Sequence, residues 1–136
     1  MRILVIDDED TFRDTLSEVL REEGYLVSIA IDGKDALRQI EETRFDLALC
    51  DVVITGIDGM DVLKAIRYSS PSTYVVMMTA FGTKENAIET MKQGAVDYIS
   101  KPFDFDDLLL KLKKILEKKV CSWHHKEEVE NPKNRI

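Results

Sequence analysis

Ile3-Leu4-Val5-Ile6-Asp7-Asp8-Glu9 is the stretch whose reading decides the fold. The apolar run is too short for a helix and continuous rather than alternating, as expected of a strand buried on both faces, and it ends abruptly in three acids. Helical spacing follows at Phe12, Leu16, Val19 and Leu20, closed by Gly24, a residue suited to a helix C-terminus. The same alternation continues down the chain. Tyr25–Ile31 reads as a strand and Gly33–Glu42 as a helix with Ala36, Leu37 and Ile40 inward. Leu47–Cys50 is again apolar, and Gly59–Tyr68 is helical, with Val62, Leu63 and Ile66 on one face. Tyr74–Met78 reads as a strand, Lys84–Gln93 as a helix stopped by Gly94, and Val96–Ser100 as a short strand. Asp104 is placed to cap a last helix carrying Leu109, Leu112, Ile115 and Leu116, expected to fade near Lys119.

Strands that alternate with single helices imply an α/β fold, a doubly wound five-stranded parallel sheet with helices on both faces. The 136 residues suffice for one such domain, read as residues 1–119, with 120–136 as a polar tail or the start of a linker. The net charge of −7 argues against direct nucleic-acid binding, which needs a basic footprint. No apolar run approaches the ~18 residues of a membrane span, and the N-terminus runs into acids too early for a signal peptide. Cys50 and Cys121 do not make a disulfide framework, so a reducing cytoplasm is the expected setting. Cys50 reads as a small buried apolar residue, and Cys121 with His124 and His125 is too sparse a set for a metal site. Asp106 and Asp107 would complement the start of the last helix, and Lys111, Lys113, Lys114, Lys118 and Lys119 its end.

In open parallel sheets, ligands sit at the carboxyl ends of the strands. Asp7, Asp8 and Glu9 follow the first strand, Asp51 the third, Thr79 the fourth and Lys101-Pro102 the fifth. Carboxylates converging on one rim repel unless a cation holds them, and hard oxygen donors favour Mg. A phosphoryl group there would find Mg, an ammonium and a hydroxyl around its oxygens, which is what phosphoryl transfer requires. Asp7 and Asp8 are adjacent and suited to joint metal holding, so Asp51, alone on the central strand, is the expected acceptor.

Val5-Ile6-Asp7-Asp8-Glu9, Asp51 with Gly56 and Asp58-Gly59, Met78-Thr79-Ala80 and Asp97-Tyr98-Ile99-Ser100-Lys101-Pro102-Phe103 together resemble the receiver domain of two-component response regulators. The resemblance implies a flavodoxin-like (βα)5 fold with strand order 2-1-3-4-5, and a switch phosphorylated by a sensor histidine kinase. It implies that Asp51 is the phosphoacceptor and that Asp8, Asp51 and the backbone carbonyl of Val53 are Mg ligands. Asp7 would act through water or by orienting Asp8. Lys101 would pair with Asp51 and then with the phosphoryl group. Thr79 would be the switch hydroxyl, Tyr98 the aromatic that turns in behind it, and Lys101–Pro102 a cis bond. Thr55 stands where the family usually has proline, so the loop after Asp51 is expected to be less rigid. Val53 and Phe81, at positions that tune dephosphorylation, are apolar and cannot orient water, so a long-lived aspartyl phosphate is expected.

The family's output surface corresponds to residues 84–93, 96–100 and 106–117. Its interleaved Glu85, Glu89, Lys92, Asp97, Asp107, Lys111 and Lys113 suit a homodimer. The wording at 78–83 and 94–99 is most similar to NtrC-type receivers of sigma-54-dependent transcription activators. That likeness implies an output region, an ATPase and a DNA-binding domain, on a longer chain. Three other readings fit less well. A haloacid-dehalogenase-type phosphohydrolase would need an acid where Val53 stands. A flavin binder would need a Ser/Thr/Gly-rich loop where Asp7-Asp8-Glu9 stands. A receiver that binds partners without phosphorylation would not need its acids, Thr79 and Lys101 all intact.

Overall fold

The computed structural model describes residues 1–54, 58–80 and 84–130, with the side chains of 84–86 and 120–130 outside the description. Thr55, Gly56 and Phe81, and the side chains of Glu85, Cys121, Trp123, His124 and His125, therefore lie outside the described residues. Along the chain run β1 (Arg2–Ile6), α1 (Asp10–Glu22), β2 (Leu26–Ala30), α2 (Gly33–Glu42), β3 (Leu47–Asp51), α3 (Gly59–Ser69), β4 (Tyr74–Thr79), α4 (Lys84–Lys92), β5 (Asp97–Ser100) and α5 (Phe105–Glu130). The chain divides into two compact units, Met1–Phe105 and Asp106–Ile136.

The first unit holds the sheet, all parallel, in the order β2-β1-β3-β4-β5. Pleating sorts its side chains by parity. Leu4 and Ile6 of β1, Ala48 and Cys50 of β3, and Val75 and Met77 of β4 join Ala36 and Ile40 of α2 and Val62, Leu63 and Ile66 of α3 in one buried cluster. Ile3, Val5, Leu47, Leu49, Val76 and Met78 point the other way and are equally buried. Both faces are covered, which explains why these strands read as unbroken apolar runs. Helix α1 runs along β1 and β2, turning in Leu16 and Leu20 but also Arg13 and Ser17.

Local chemistry sets the element ends. Asp32 and Asp58 cap α2 and α3, accepting from the backbone N–H of Asp35 and Met60 at 2.8 Å each. Gly24 takes φ +95° after α1, a conformation that a side chain would strain. On the outer edge of the sheet, the Val27 and Ile29 carbonyls of β2 accept from the Arg21 and Gln39 side chains at 3.1 and 2.8 Å. These bonds occupy carbonyls that would otherwise template another strand.

In the second unit, α5 runs to Glu130, well beyond the expected fade near Lys119. Val120–Glu130 contains neither Gly nor Pro to interrupt the ladder. Lys111, Lys113, Lys114, Lys118 and Lys119 consequently fall inside the helix rather than in its last turn, which carries no basic residue, whereas Asp106 and Asp107 do lie in the first. Among the described residues, no helix is long and apolar enough to cross a membrane.

Candidate phosphoryl-transfer site

Strand register creates the site. Ile6 pairs with Cys50, so Asp7 follows β1 level with Asp51, the last residue of β3. Asp51 pairs with Met78 and Thr79 with Ser100, so Lys101 leaves β5 at the same rim. The pleat that turns Val5, Leu49 and Ile99 to one face carries Asp7, Asp51 and Lys101 to it as well. The Lys101 ammonium donates to Asp7 Oδ2 at 2.7 Å and to Asp51 Oδ2 at 2.9 Å. Carboxylate oxygens of Asp7, Asp8 and Asp51 lie within 4.8 Å of one another. Three carboxylates converge there and the donors are all hard oxygens, a set that fits a small divalent cation.

The two adjacent acids play different parts. Asp7 is fully buried, and both its oxygens are engaged: Oδ2 by Lys101 and Oδ1 by the Glu9 N–H at 2.9 Å. Asp8 is exposed at the mouth of the cluster. Asp51 is half-buried, and its Oδ1 accepts from the Val53 N–H at 3.1 Å. Burial pushes the Asp51 carboxyl above its ordinary value, against the pull of Lys101 and the Val53 N–H, and the charge on Asp7 adds to the rise. Burial works against the Lys101 ammonium, but its hydrogen bonds to Asp7 and Asp51 outweigh that and hold its pKa above the ordinary value. Cys50, beside the acceptor, is fully buried and its thiol is pushed far up, first by burial and then by Asp51 and Asp7, so it is inert packing.

The loop around Asp51 is held by backbone contacts. The Val52 N–H donates to the Met78 carbonyl and the Gly59 N–H to the Val52 carbonyl, each at 2.9 Å. A Cβ on Gly59 would collide with the carbonyl oxygens of Asp51 and Val52, so only glycine allows α3 to start this close to the acceptor. Beside it, the Lys101 N–H donates to the Thr79 carbonyl at 2.7 Å, and Lys101–Pro102 is cis, as the family resemblance implies.

Thr79, only 4% exposed, has the opposite parity, shared with Met77 and with Tyr98 next to it on β5. Tyr98 packs against the buried cluster and lines a hollow with Ala87, Ile88, Met91 and Lys92. It therefore sits inside the strand rather than at the rim. Two contributors were not evident from sequence. Arg13 is buried on α1, donating to the Asp7 carbonyl at 3.1 Å and pairing with Asp10 at 2.9 Å. Its spacing with Ser17 and Leu20, which places a charge on the inward face, was the available signal. Phe12 lies with its ring 4.3 Å from the Lys101 ammonium, and nothing in its helical spacing marks that contact.

The sequence matches the response regulator receiver domain family over residues 3–113. ZraR of Salmonella typhimurium, a transcriptional regulatory protein, is 46% identical over 114 residues, 84% of this chain and 26% of that one. NtrX from Brucella abortus superposes with a TM-score of 0.87 at 33% identity, covering 93% of this chain and 29% of that one. TrrA from Thermotoga maritima, solved in complex with Mg(2+)-BeF, superposes with a TM-score of 0.75 at 35% identity, covering 83% of this chain and 96% of that one. With its parallel sheet in the order 2-1-3-4-5 and its acids gathered at one rim, the chain belongs to the receiver domain family, the phosphoacceptor switches of two-component response regulators. It spans about a quarter of the length of ZraR.

Proposed function

We propose that Asp51 accepts a phosphoryl group from the phosphohistidine of a sensor histidine kinase. A carboxylate oxygen of Asp51 attacks phosphorus, a P–O bond forms, the P–N bond breaks, and the imidazole leaves with the electron pair and is then protonated. The observation that carries this reading is the Lys101 ammonium bridging Asp7 and Asp51 at 2.7 and 2.9 Å beside Asp8. A fixed cation there can follow negative charge as it moves from Asp51 to the phosphoryl oxygens. The burial that raises the Asp51 pKa also excludes water from one side of the acceptor.

Mg fits the acid cluster, with Asp8, Asp51 and the backbone carbonyl of Val53 as its direct ligands, and it would offset charge on the transferring group. Asp7, its oxygens already taken by Lys101 and the Glu9 N–H, orients the site or meets the cation through water. Thr79 donates its hydroxyl to the phosphoryl group, and Tyr98, facing the same side, turns toward the space this vacates. The hollow beside Tyr98 and the exposed Ile88 and Met91 make the α4–β5 surface sensitive to that turn. Phosphorylation then favours a homodimer through the α4, β5 and α5 surfaces.

The receiver is of the NtrC type and controls transcription in the cytoplasm through an ATPase and DNA-binding region on a longer chain. Its likeness to ZraR, a transcriptional regulatory protein, supports that reading. The protein catalyses only its own phosphorylation and dephosphorylation. Incubation with acetyl phosphate and Mg should add one phosphoryl group to the intact mass, absent without Mg and in Asp51→Asn. A folded wild type without the adduct, or an adduct retained in Asp51→Asn, would refute the assignment.

A further inference from the structure

An ammonium has three N–H bonds to satisfy. Two of those on Lys101 reach Asp7 and Asp51. Among the described residues, a further close neighbour is the ring of Phe12, its centroid 4.3 Å from Nζ, within the range at which a ring face attracts a cation. Phe12 comes from the first turn of α1, just after the Asp7-Asp8 corner. Its ring is held by two others from the segment that carries the lysine. Phe103 meets it in a T-shaped pair at 5.7 Å, Phe105 lies 6.2 Å away, and Phe103 and Phe105 are themselves T-shaped at 6.1 Å. The acidic corner and the lysine corner of the site are thus joined through three phenylalanines.

We propose that Phe12 is a positioning residue for phosphoryl transfer, its ring face keeping the Lys101 ammonium at the rim while Asp51 turns from carboxylate to acyl phosphate. The inference rests on the roles given to Asp51 and Lys101 above. As Asp51 is phosphorylated, Lys101 must leave Asp51 Oδ2 and follow the charge outward, yet the fully buried Asp7 draws it inward. A ring face attracts a cation over a broad area, so the ammonium can slide across it during this exchange without losing the contact. An aliphatic side chain of similar bulk would leave that N–H against hydrocarbon and let the lysine collapse onto Asp7.

The test replaces Phe12 by phenylalanines bearing one, two and three ring fluorines, which preserve shape and progressively weaken the negative face, and adds Phe12→Tyr and Phe12→Leu. Two quantities are read: the rate of phosphorylation by acetyl phosphate with Mg, and the ring-current shift of the Lys101 ε-methylene protons in the unphosphorylated protein. The rate should fall with each fluorine, to about fivefold at three, equivalent to ~1 kcal/mol at 1.4 kcal/mol per tenfold. Phe12→Tyr should keep both rate and shift, and Phe12→Leu should lose both. An unchanged rate across the fluorinated series, in a protein whose wild type is phosphorylated, overturns the inference alone. A wild type that shows the shift but takes no phosphoryl group overturns the proposed function, and this inference with it.

Discussion

Gly59→Ala places one methyl group where the fold has no room for it. Its Cβ would stand 2.5 Å from the Val52 carbonyl oxygen, 2.7 Å from Val52 Cα and nearer still to the Asp51 carbonyl oxygen. Ordinary contact begins at about 3.5 Å, and all three neighbours are backbone, which cannot rotate aside. Either the end of β3 or the start of α3 must move by about an ångström. Overpacking of this kind costs ~1–3 kcal/mol, with unyielding neighbours placing it toward the top, while replacing a helical glycine returns at most ~1 kcal/mol. The net loss should be about 2 kcal/mol, opposite in sign to an unhindered glycine-to-alanine change. Urea unfolding followed by circular dichroism should show the midpoint falling by about 1 M at an unchanged slope. Because the strained atoms carry Asp51, phosphorylation by acetyl phosphate should slow as well. A Gly59→Ala protein whose midpoint equals or exceeds that of the wild type would refute the claim that α3 presses on the acceptor's own backbone.

Other perturbations act through charge and water. Lys101→Met removes the cation from the fully buried Asp7 and should cost about 2–3 kcal/mol in urea unfolding without divalent ions, reduced from a fully buried pair because Lys101 is partly exposed. Millimolar Mg should recover part of that loss, and a variant as stable as the wild type in both conditions would contradict the pairing. The folded pKa of Lys101 lies above its ordinary 10.5, so its contribution is fully present below that value and is lost as pH rises through the folded pKa. The stability gap between wild type and Lys101→Met should accordingly be flat at neutral pH and narrow in strong alkali, and a gap that widens there would be inconsistent with it. The Asp51 pKa is raised as well, so its linkage has the same sign, but it arises from a penalty on the ionised form rather than from a stabilising pair. Its carboxyl is raised chiefly by burial, so the folded state is penalised while the group is ionised and relieved as pH falls through the raised value. Without divalent ions, Asp51→Asn should be the more stable protein at neutral pH, with the difference shrinking on acidification; a less stable Asn variant would count against this. With Val53 62% exposed and apolar, the phosphorylated protein should decay over minutes or longer by intact mass, and decay within seconds would argue for a water-orienting group elsewhere.

Much of the fold was legible because buried parallel strands leave a simple record. Ile3–Ile6, Leu47–Cys50 and Tyr74–Met78 are apolar on both parities, and the structure covers both faces of each. The polar rim was legible for a related reason: residues following parallel strands on one side must converge, so Asp7, Asp51 and Lys101 could be grouped without coordinates. Which acid would be buried could not be read, because Asp7 and Asp8 differ only in the side of the chain on which each falls. Arg13 was hidden by its own charge, since an inward arginine reads as a surface residue unless its carbonyl partner is known. Phe12 was read only as packing, because its meeting with Lys101 joins the start of α1 to the end of β5. The reach of α5 to Glu130 is not legible from polarity, because a polar, aperiodic stretch without Gly or Pro can still continue a helix.

The central claim is that Asp51 itself carries the phosphoryl group. Borohydride reduces an aspartyl phosphate to homoserine, and tandem mass spectrometry locates the residue changed. After treatment with acetyl phosphate and Mg, homoserine should appear at position 51 and nowhere else, and should vanish when either reagent is omitted. Homoserine at Asp7 or Asp8, or phosphate held stably on a hydroxyl while Asp51 stays unmodified, would contradict the account.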